Sequence, residues 1–483
     1  MKQRLLAAAA LVGGALVAIS GNALAANSGL NQISSDPFTN TTSYHKTQVE
    51  PDSFAYGSTI VAAIQTGRFR NGGSSDIGWA TSSDGGATWQ HGFLPGLTSQ
   101  VDPASPYERV SDPSVAYDAK HNVWLISSIP LLPNTAVPVI FVSRSTDGGL
   151  TWGNPVSFAP SSGKVDLDKN WTVCDNNASS PFYGNCYTEF DNFARDDLEL
   201  MSTSTDGGAT WSEPLAPADN SRGLGGQPVV QPNGTVIVPF ETISGKIAAF
   251  RSTDGGASWS GGLTISKTKF HGVAGSLRTS PLPSAEIDGA GTVYVAWEDC
   301  RFEDHCSAND IVLSQSNDGV TWSEVTRVPT DAVGSGVDHF IPGLAVDKAT
   351  AGVGAHLALT YYYYPDAACT VATCQLNAGF VSSADGGATW SSGVQLTGPM
   401  ALTWLPLTSQ GYMVGDYIST SFTADGLAHP LLAVASAPRR GLFQEAMFSS
   451  SGGLAVGAGT VTASSKGAND STISTGSISL KVR

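Results

Sequence analysis

One eight-residue pattern recurs along this chain: SSDGGATW at 82–89, STDGGLTW at 145–152, STDGGATW at 204–211, STDGGASW at 252–259 and SADGGATW at 383–390. A sixth copy, SNDGVTW at 316–322, is one residue shorter. The aspartates Asp84, Asp147, Asp206, Asp254, Asp318 and Asp385 stand 63, 59, 48, 64 and 67 residues apart. That period suits one four-stranded antiparallel sheet with its loops, repeated around an axis, and not a string of independent domains.

The composition of each copy explains its shape. Asp hydrogen-bonds the backbone of its own turn, the glycines reach positive φ, Thr or Ser closes the bend, and the Trp wedges into hydrophobic packing. Strand-like runs flank each copy, as in Pro138–Arg144 before the second and Pro155–Phe158 after it, so each copy reads as a hairpin turn between the third and fourth strands of a sheet. A solution used six times is structural, because one active site needs it once. These bends resemble the Asp-box, or bacterial neuraminidase repeat, of the sialidase superfamily. The resemblance covers roughly residues 40 to 400 and implies an all-β propeller with six Asp-box blades.

Beyond the last bend, 415–422, 430–435 and 443–448 read as three further strands. A fourth from Asn31 to Asn40 would complete a seventh, box-less blade and close the ring with the two chain ends; the six-bladed sialidase type is the alternative. Residues 26–449 form the propeller domain in this reading, and 450–483 are a Gly/Ser/Thr-rich tail, expected to be mobile or a weakly ordered strand. Residues 1–25 have the layout of a cleaved signal peptide: Lys2 and Arg4, an apolar run, then Ala23-Leu24-Ala25. The protein is therefore expected to be secreted, extracellular or periplasmic, without membrane insertion, and monomeric. Removing the signal moves the formal net charge from -16 to -18, which disfavours nucleic acid as a partner. The six cysteines fall in three close pairs, Cys174/Cys186, Cys300/Cys306 and Cys369/Cys374, read as local disulfides and not as a metal centre. No cofactor or metal is expected.

With the bends between third and fourth strands, function belongs on the opposite face, among the second-to-third loops and the crossings into each first strand. Two segments there repeat a pattern: Gln65 to Asp76, containing Arg68, and Glu298-Asp299-Cys300-Arg301 running to Asp310. Crossings add Glu50 and Asp52, Glu108 to Asp112, Asp168 with Lys169 and Trp171, Arg222 and Gln227, Arg278, Asp338 with His339, and Asp416 with Tyr417, and Tyr361 to Tyr364 add an aromatic run. By the resemblance, Arg68, Arg278 and Arg301 would grip a sugar carboxylate, with Asp112 and Asp299 also binding substrate. Tyr417 or one of Tyr361 to Tyr364 would be the nucleophile, Glu298 or Glu50 its base, and Asp52 or Asp76 the acid. No Arg-Ile-Pro or Arg-Leu-Pro precedes the first blade, so an ordinary two-carboxylate hydrolase stands beside an exo-α-sialidase.

The expected partner is thus a glycan or glycoconjugate substrate, and the expected activity a sialidase-like glycoside hydrolase acting on terminal or exposed sugars. Two readings from other classes remain: a non-catalytic glycan-binding or adhesion propeller, and a polysaccharide lyase using Tyr and His for proton transfer.

Overall fold

The computed structural model describes residues 29–457 and 460–464; the expected signal peptide, residues 1–25, lies outside them. The described residues form an all-β, propeller-like structure of antiparallel sheets with only short 3-10 turns. The chain builds the same unit repeatedly. Unit one is Gln48–Tyr56, Thr59–Arg68, Ser74–Ser82 and Gln90–Phe93. Unit two is Arg109–Asp118, Val123–Leu131, Ile140–Ser145 and Val156–Phe158. A single residue pair, Ser74 with Val110, joins these two into one sheet. The first strands of the following units are Leu167–Cys174, Val229–Val230, Ser284–Ile287, Asp338–Val346 and Ser419–Phe422. Leu30–Gln32 pairs with Glu445–Ser450 and so adds a strand from the start of the chain to the last sheet.

The first strands lie innermost and adjoin one another in chain order, with Ser419–Phe422 beside Gln48–Tyr56. They diverge too far for a backbone ladder, and side chains bridge them instead. Val115 N donates to Asp52 Oδ2 (2.7 Å), Thr172 N to Ser114 Oγ (2.9 Å), Ala285 N to Gln227 Oε1 (2.9 Å) and Leu344 N to Ser284 Oγ (3.0 Å). Ser53 N donates to Ser419 Oγ (3.1 Å), tying the last inner strand to the first. Each bridge satisfies a buried amide that the splayed geometry would otherwise orphan. Apolar residues fill the space between units; Val61, Ala63 and Ile77 of unit one, for example, pack on Val115, Trp124 and Ile126 of unit two.

The repeated bends sit between third and fourth strands. In the first copy Asp84 Oδ1 accepts from Ser82 Oγ (2.8 Å) and Thr88 N (2.9 Å), and Oδ2 from Thr88 Oγ1 (2.6 Å). Trp89 Nε1 donates to Gly86 O (3.1 Å). The same contacts recur around Asp147 and Asp385. One glycine of each bend presses on another unit, the second where there are two and Gly319, against Ile237, in the shorter copy. Gly149 faces Thr81 and Val61, Gly208 faces Leu125, Gly256 faces Tyr187, Gly387 faces Leu313, and Gly86 of unit one faces His429 of the last unit. The bends therefore lock six of the units onto a neighbour. The three disulfides, Cys174–Cys186, Cys300–Cys306 and Cys369–Cys374, form as the spacing suggested. Part of the tail is ordered: Val461–Thr462 pairs with Thr389–Trp390, and Ser464 bridges to Arg327.

Gly148 and Gly149 both have φ near +80°, but a Cβ on Gly148 meets nothing whereas one on Gly149 comes within 2.7 Å of Thr81 Oγ1 and 2.8 Å of Val61 Cγ2. Gly148→Ala is expected to cost about 1 kcal/mol, from backbone strain alone. Gly149→Ala is expected to cost roughly 2–4 kcal/mol, because overpacking is added. Urea denaturation of the two variants measures the difference, and equal costs would show that the bends do not lock the units.

Candidate functional site

Four inner strands share an irregularity. Each carries one extra residue against its partner, between Val49 and Asp52, Ser111 and Ser114, Asp168 and Trp171, and Phe340 and Gly343. At each bulge a non-glycine residue takes positive φ: Glu50 (51°), Asp112 (49°), Lys169 (52°) and Ile341 (52°). Such bulges redirect a side chain out of the strand's alternation. Glu50, Asp112 and Lys169 belong to units one to three and converge. The bulges lie at the starts of the inner strands, whereas Gly85 N of the first bend donates to Ser58 O (3.0 Å), beside the turn where the first inner strand ends. The convergence point is therefore at the end of the axis away from the bends.

Asp416 anchors the group. It accepts Arg278 Nε on Oδ1 (2.6 Å), and both Arg278 and Lys169 donate to its Oδ2. Lys169 Nζ stands 3.9 Å from Glu50 Oε1. The Gln65 side-chain amide donates to both Glu50 and Asp112, the latter at 3.3 Å, and its oxygen accepts Arg68 (2.8 Å). All these residues are buried. Arg68 Nε and Arg278 NH1 have no hydrogen-bond partner, and both arginines line a cavity of about 20 Å³ with Asp112, Asp168 and Lys169. That volume admits about one water or one small group.

Burial, then the charge of Asp416, pushes the Glu50 carboxyl up to about 8. Burial also opposes ionisation of Asp112 and Asp416. Lys169 nevertheless holds Asp112 below the usual range, and Arg278 with Lys169 holds Asp416 well below it. One site therefore contains a carboxyl that keeps its proton near neutrality and a neighbouring carboxylate that does not. The Tyr417 phenol, buried among Glu50, Asp112, Asp52 and Asp416, is held well above its ordinary value, and its OH donates to Pro113 O (3.3 Å). Its ring meets Trp171 edge-on (5.2 Å), with Lys169 on its face (5.5 Å). Below Trp171 a channel of about 520 Å³ runs along the axis between the inner strands and opens at the other end. The repeated bends do not line it. Two of them line an outer groove between the fifth and sixth units.

Of the residues singled out from sequence, Arg68, Arg278, Asp112 and Tyr417 come together here. Asp52 lies on the channel wall, accepting Val115 N. Asp76 is enclosed in unit one, accepting Ile77 N (2.8 Å) and Thr98 Oγ1 (2.6 Å). Glu298 braces the sixth unit's bulge by accepting Ile341 N (2.7 Å). Arg301 folds back on Asp299, at 2.9 and 2.6 Å, and on Lys267 O. The structure thus leaves Arg301 apart from Arg68 and Arg278. Glu50, Gln65, Lys169 and Asp416 complete the cluster. A proline follows the kinked residue at three of the four bulges, in Glu50-Pro51, Asp112-Pro113 and Ile341-Pro342, while Lys169 is followed by Asn170; Gln65 and Asp416 carry no such mark.

The fold and site together define a propeller-like all-β protein with a buried charged centre at one end of its axis. No family model matches the chain. A xyloglucanase from Paenibacillus sp. is 30% identical over 202 residues, 39% of this chain and 18% of that protein, so the chain spans under a fifth of this relative. Among solved structures, a protein of unknown function from Dyadobacter fermentans has a TM-score of 0.47 at 16% identity, covering 73% of this chain and 99% of the other. The Hadza microbial sialidase Hz136 has a TM-score of 0.45 at 17% identity, covering 66% and 64%.

Several other carboxyls also keep their protons when folded: burial lifts Asp52 and Glu199 to about 7 and Glu241 to about 8. Unfolded, such groups titrate near about 4. The stability they contribute is full below that value and is lost as pH rises through 7 to 8. Asp112 and Asp416 act oppositely, and their contribution disappears as pH falls below the ordinary carboxylate range. The urea midpoint is therefore expected to peak at mildly acidic pH and to fall between about pH 5 and 8, with Glu241→Gln reducing that slope. A midpoint that rises over this interval would contradict the assignment.

Proposed function

We propose that this chain is a secreted seven-bladed β-propeller, comprising residues 26–449, that hydrolyses glycosidic bonds at acidic sugars exposed on extracellular glycans. One observation carries the reading: Glu50 and Asp112 share the Gln65 amide as donor while their surroundings drive their protonation states apart. Paired carboxyls separated in this way take the acid and base roles of glycoside hydrolysis. Similarity to a xyloglucanase over part of the chain supports the reaction class, and three disulfides support an extracellular setting.

In this mechanism Glu50 gives its proton to the glycosidic oxygen as the bond from that oxygen to the anomeric carbon breaks. Asp112 forms the new bond to that carbon. Water then attacks the carbon, its proton returns to Glu50, and Asp112 leaves as carboxylate. The closeness of the two carboxyls suits this double displacement, which retains configuration. The free Arg68 Nε and Arg278 NH1 donors would receive the sugar carboxylate, which extends to exo-α-sialidase substrates. Because the Tyr417 phenol stays neutral and bonded to Pro113, a two-carboxylate route is better supported than a tyrosine nucleophile. Asp52, Asp76 and Glu298 are engaged with backbone amides and take no part in it.

The small cavity beside the pair, about 20 Å³, favours one second reading, a glycan-binding propeller that accepts the carboxylate without turnover. Chromogenic uronides, sialosides and neutral glycosides, assayed with wild type, Glu50→Gln and Asp112→Asn, separate the two. Hydrolysis predicts turnover of an acidic glycoside, a loss of about a hundredfold or more in kcat for each variant, and a fall in activity as pH rises through about 8. Wild-type binding with no turnover on any substrate would leave the second reading; neither binding nor turnover would remove both.

A further inference from the structure

Away from the axis, three side chains of units five and six converge at the end that carries the charged centre. Asp310 opens the third strand of unit five, Asp310–Ser316; Asp331 lies in the connection to unit six; His339 is the second residue of Asp338–Val346. Each offers one ligand atom, and these atoms all lie within 4.8 Å of one another.

The surroundings have the form of an outer coordination layer. Arg327 donates through Nε to Asp310 Oδ1 (2.7 Å) and also pairs with Asp331 Oδ1, while its NH1 donates to the Asp331 carbonyl (2.8 Å). Arg327 thus engages one oxygen of each carboxylate. Asp310 is 1% exposed, and its Oδ2 has no hydrogen-bond partner. Burying a carboxylate oxygen unpaired is costly unless something of opposite charge reaches it. Asp331 Oδ2 accepts only the Ser335 hydroxyl, which leaves a lone pair. His339 is buried, with Nδ1 3.3 Å from the Asn309 carbonyl and Nε2 3.1 Å from Thr330 Oγ1. A carbonyl on Nδ1 fixes the tautomer that presents Nε2 as a ligand.

The geometry points to a divalent transition-metal site formed by Asp310, Asp331 and His339, with Arg327 and Asn309 orienting the ligands. One imidazole with two carboxylates suits zinc or manganese better than calcium or magnesium, which take oxygen alone. The ion would clamp the connection between units five and six onto two strands. The inference is independent of the proposed hydrolysis, since none of these residues belongs to the Glu50–Asp112 centre.

The test uses untagged full-length protein stripped with a chelator and titrated calorimetrically with zinc, manganese and calcium chlorides. One equivalent of zinc or manganese per chain is expected, with a dissociation constant weakened about tenfold or more in Asp331→Asn and His339→Gln. The metal-free variants should keep the far-ultraviolet circular dichroism of the wild type, with lowered melting temperatures because Asp331 pairs with buried Arg327 and His339 is buried. Cobalt(II) soaked into wild-type protein gives a second readout if a variant fails to fold. A visible spectrum altered from that of the aqueous ion supports the site. Absence of binding, titration curves unchanged by either variant, or an aqueous cobalt spectrum would overturn it.

Discussion

The kink shared by four of the inner strands is the constraint on which the rest depends. A strand wound around an axis alternates its side chains between the two faces of its own sheet, and regular alternation would aim none of them at the axis end. An extra residue with positive φ breaks that rule at Glu50, Asp112 and Lys169. Each costs of order 1–2 kcal/mol, and the cost recurs in neighbouring units. Contacts at the kink offset it: Lys169 and Arg278 share Asp416, Gln65 holds Glu50 and Asp112, and Glu298 caps the Ile341 amide in unit six.

The opposite end of the axis has a different task. There the same bend is made six times, always with aspartate satisfying its own turn and a glycine lying against the unit before it. Uniform bends make a uniform ring, and a uniform ring can carry unlike residues at its other end. The inner-strand starts differ between units, with Glu, Asp, Lys and Ile at the kinks. This division also explains why so many carboxyls are buried. Glu50, Glu241 and Glu298 all occupy this end, and burial raises each of them.

Much of the fold was legible in the sequence because it rests on local chemistry. The bends announce themselves by Asp, Gly and Trp at fixed offsets, the disulfides by short spacing, and the strands of the last unit as strand-like runs beyond the last bend. The centre was only partly legible. Arg68 and Arg301 head similar segments, yet the residue two before Arg301 is Asp299, which captures its guanidinium, whereas the residue two before Arg68 is Thr66. Arg68 therefore turns to Gln65. Lys169 and Asp416 stood among the crossings without assigned roles, and Glu50 was expected only as one of two bases for Tyr417, because a bulge is invisible to a period-two pattern and the contact between Lys169 and Asp416 spans 247 residues.

The claim at the centre of this account is that Glu50 keeps its proton at neutral pH while Asp112 and Asp416 beside it do not. Infrared difference spectroscopy between wild type and Glu50→Gln at pH 7 tests it directly. The account predicts that the substitution removes a protonated-carboxyl stretch and leaves the carboxylate bands in place. Loss of a carboxylate band instead would show Glu50 ionised and contradict the account.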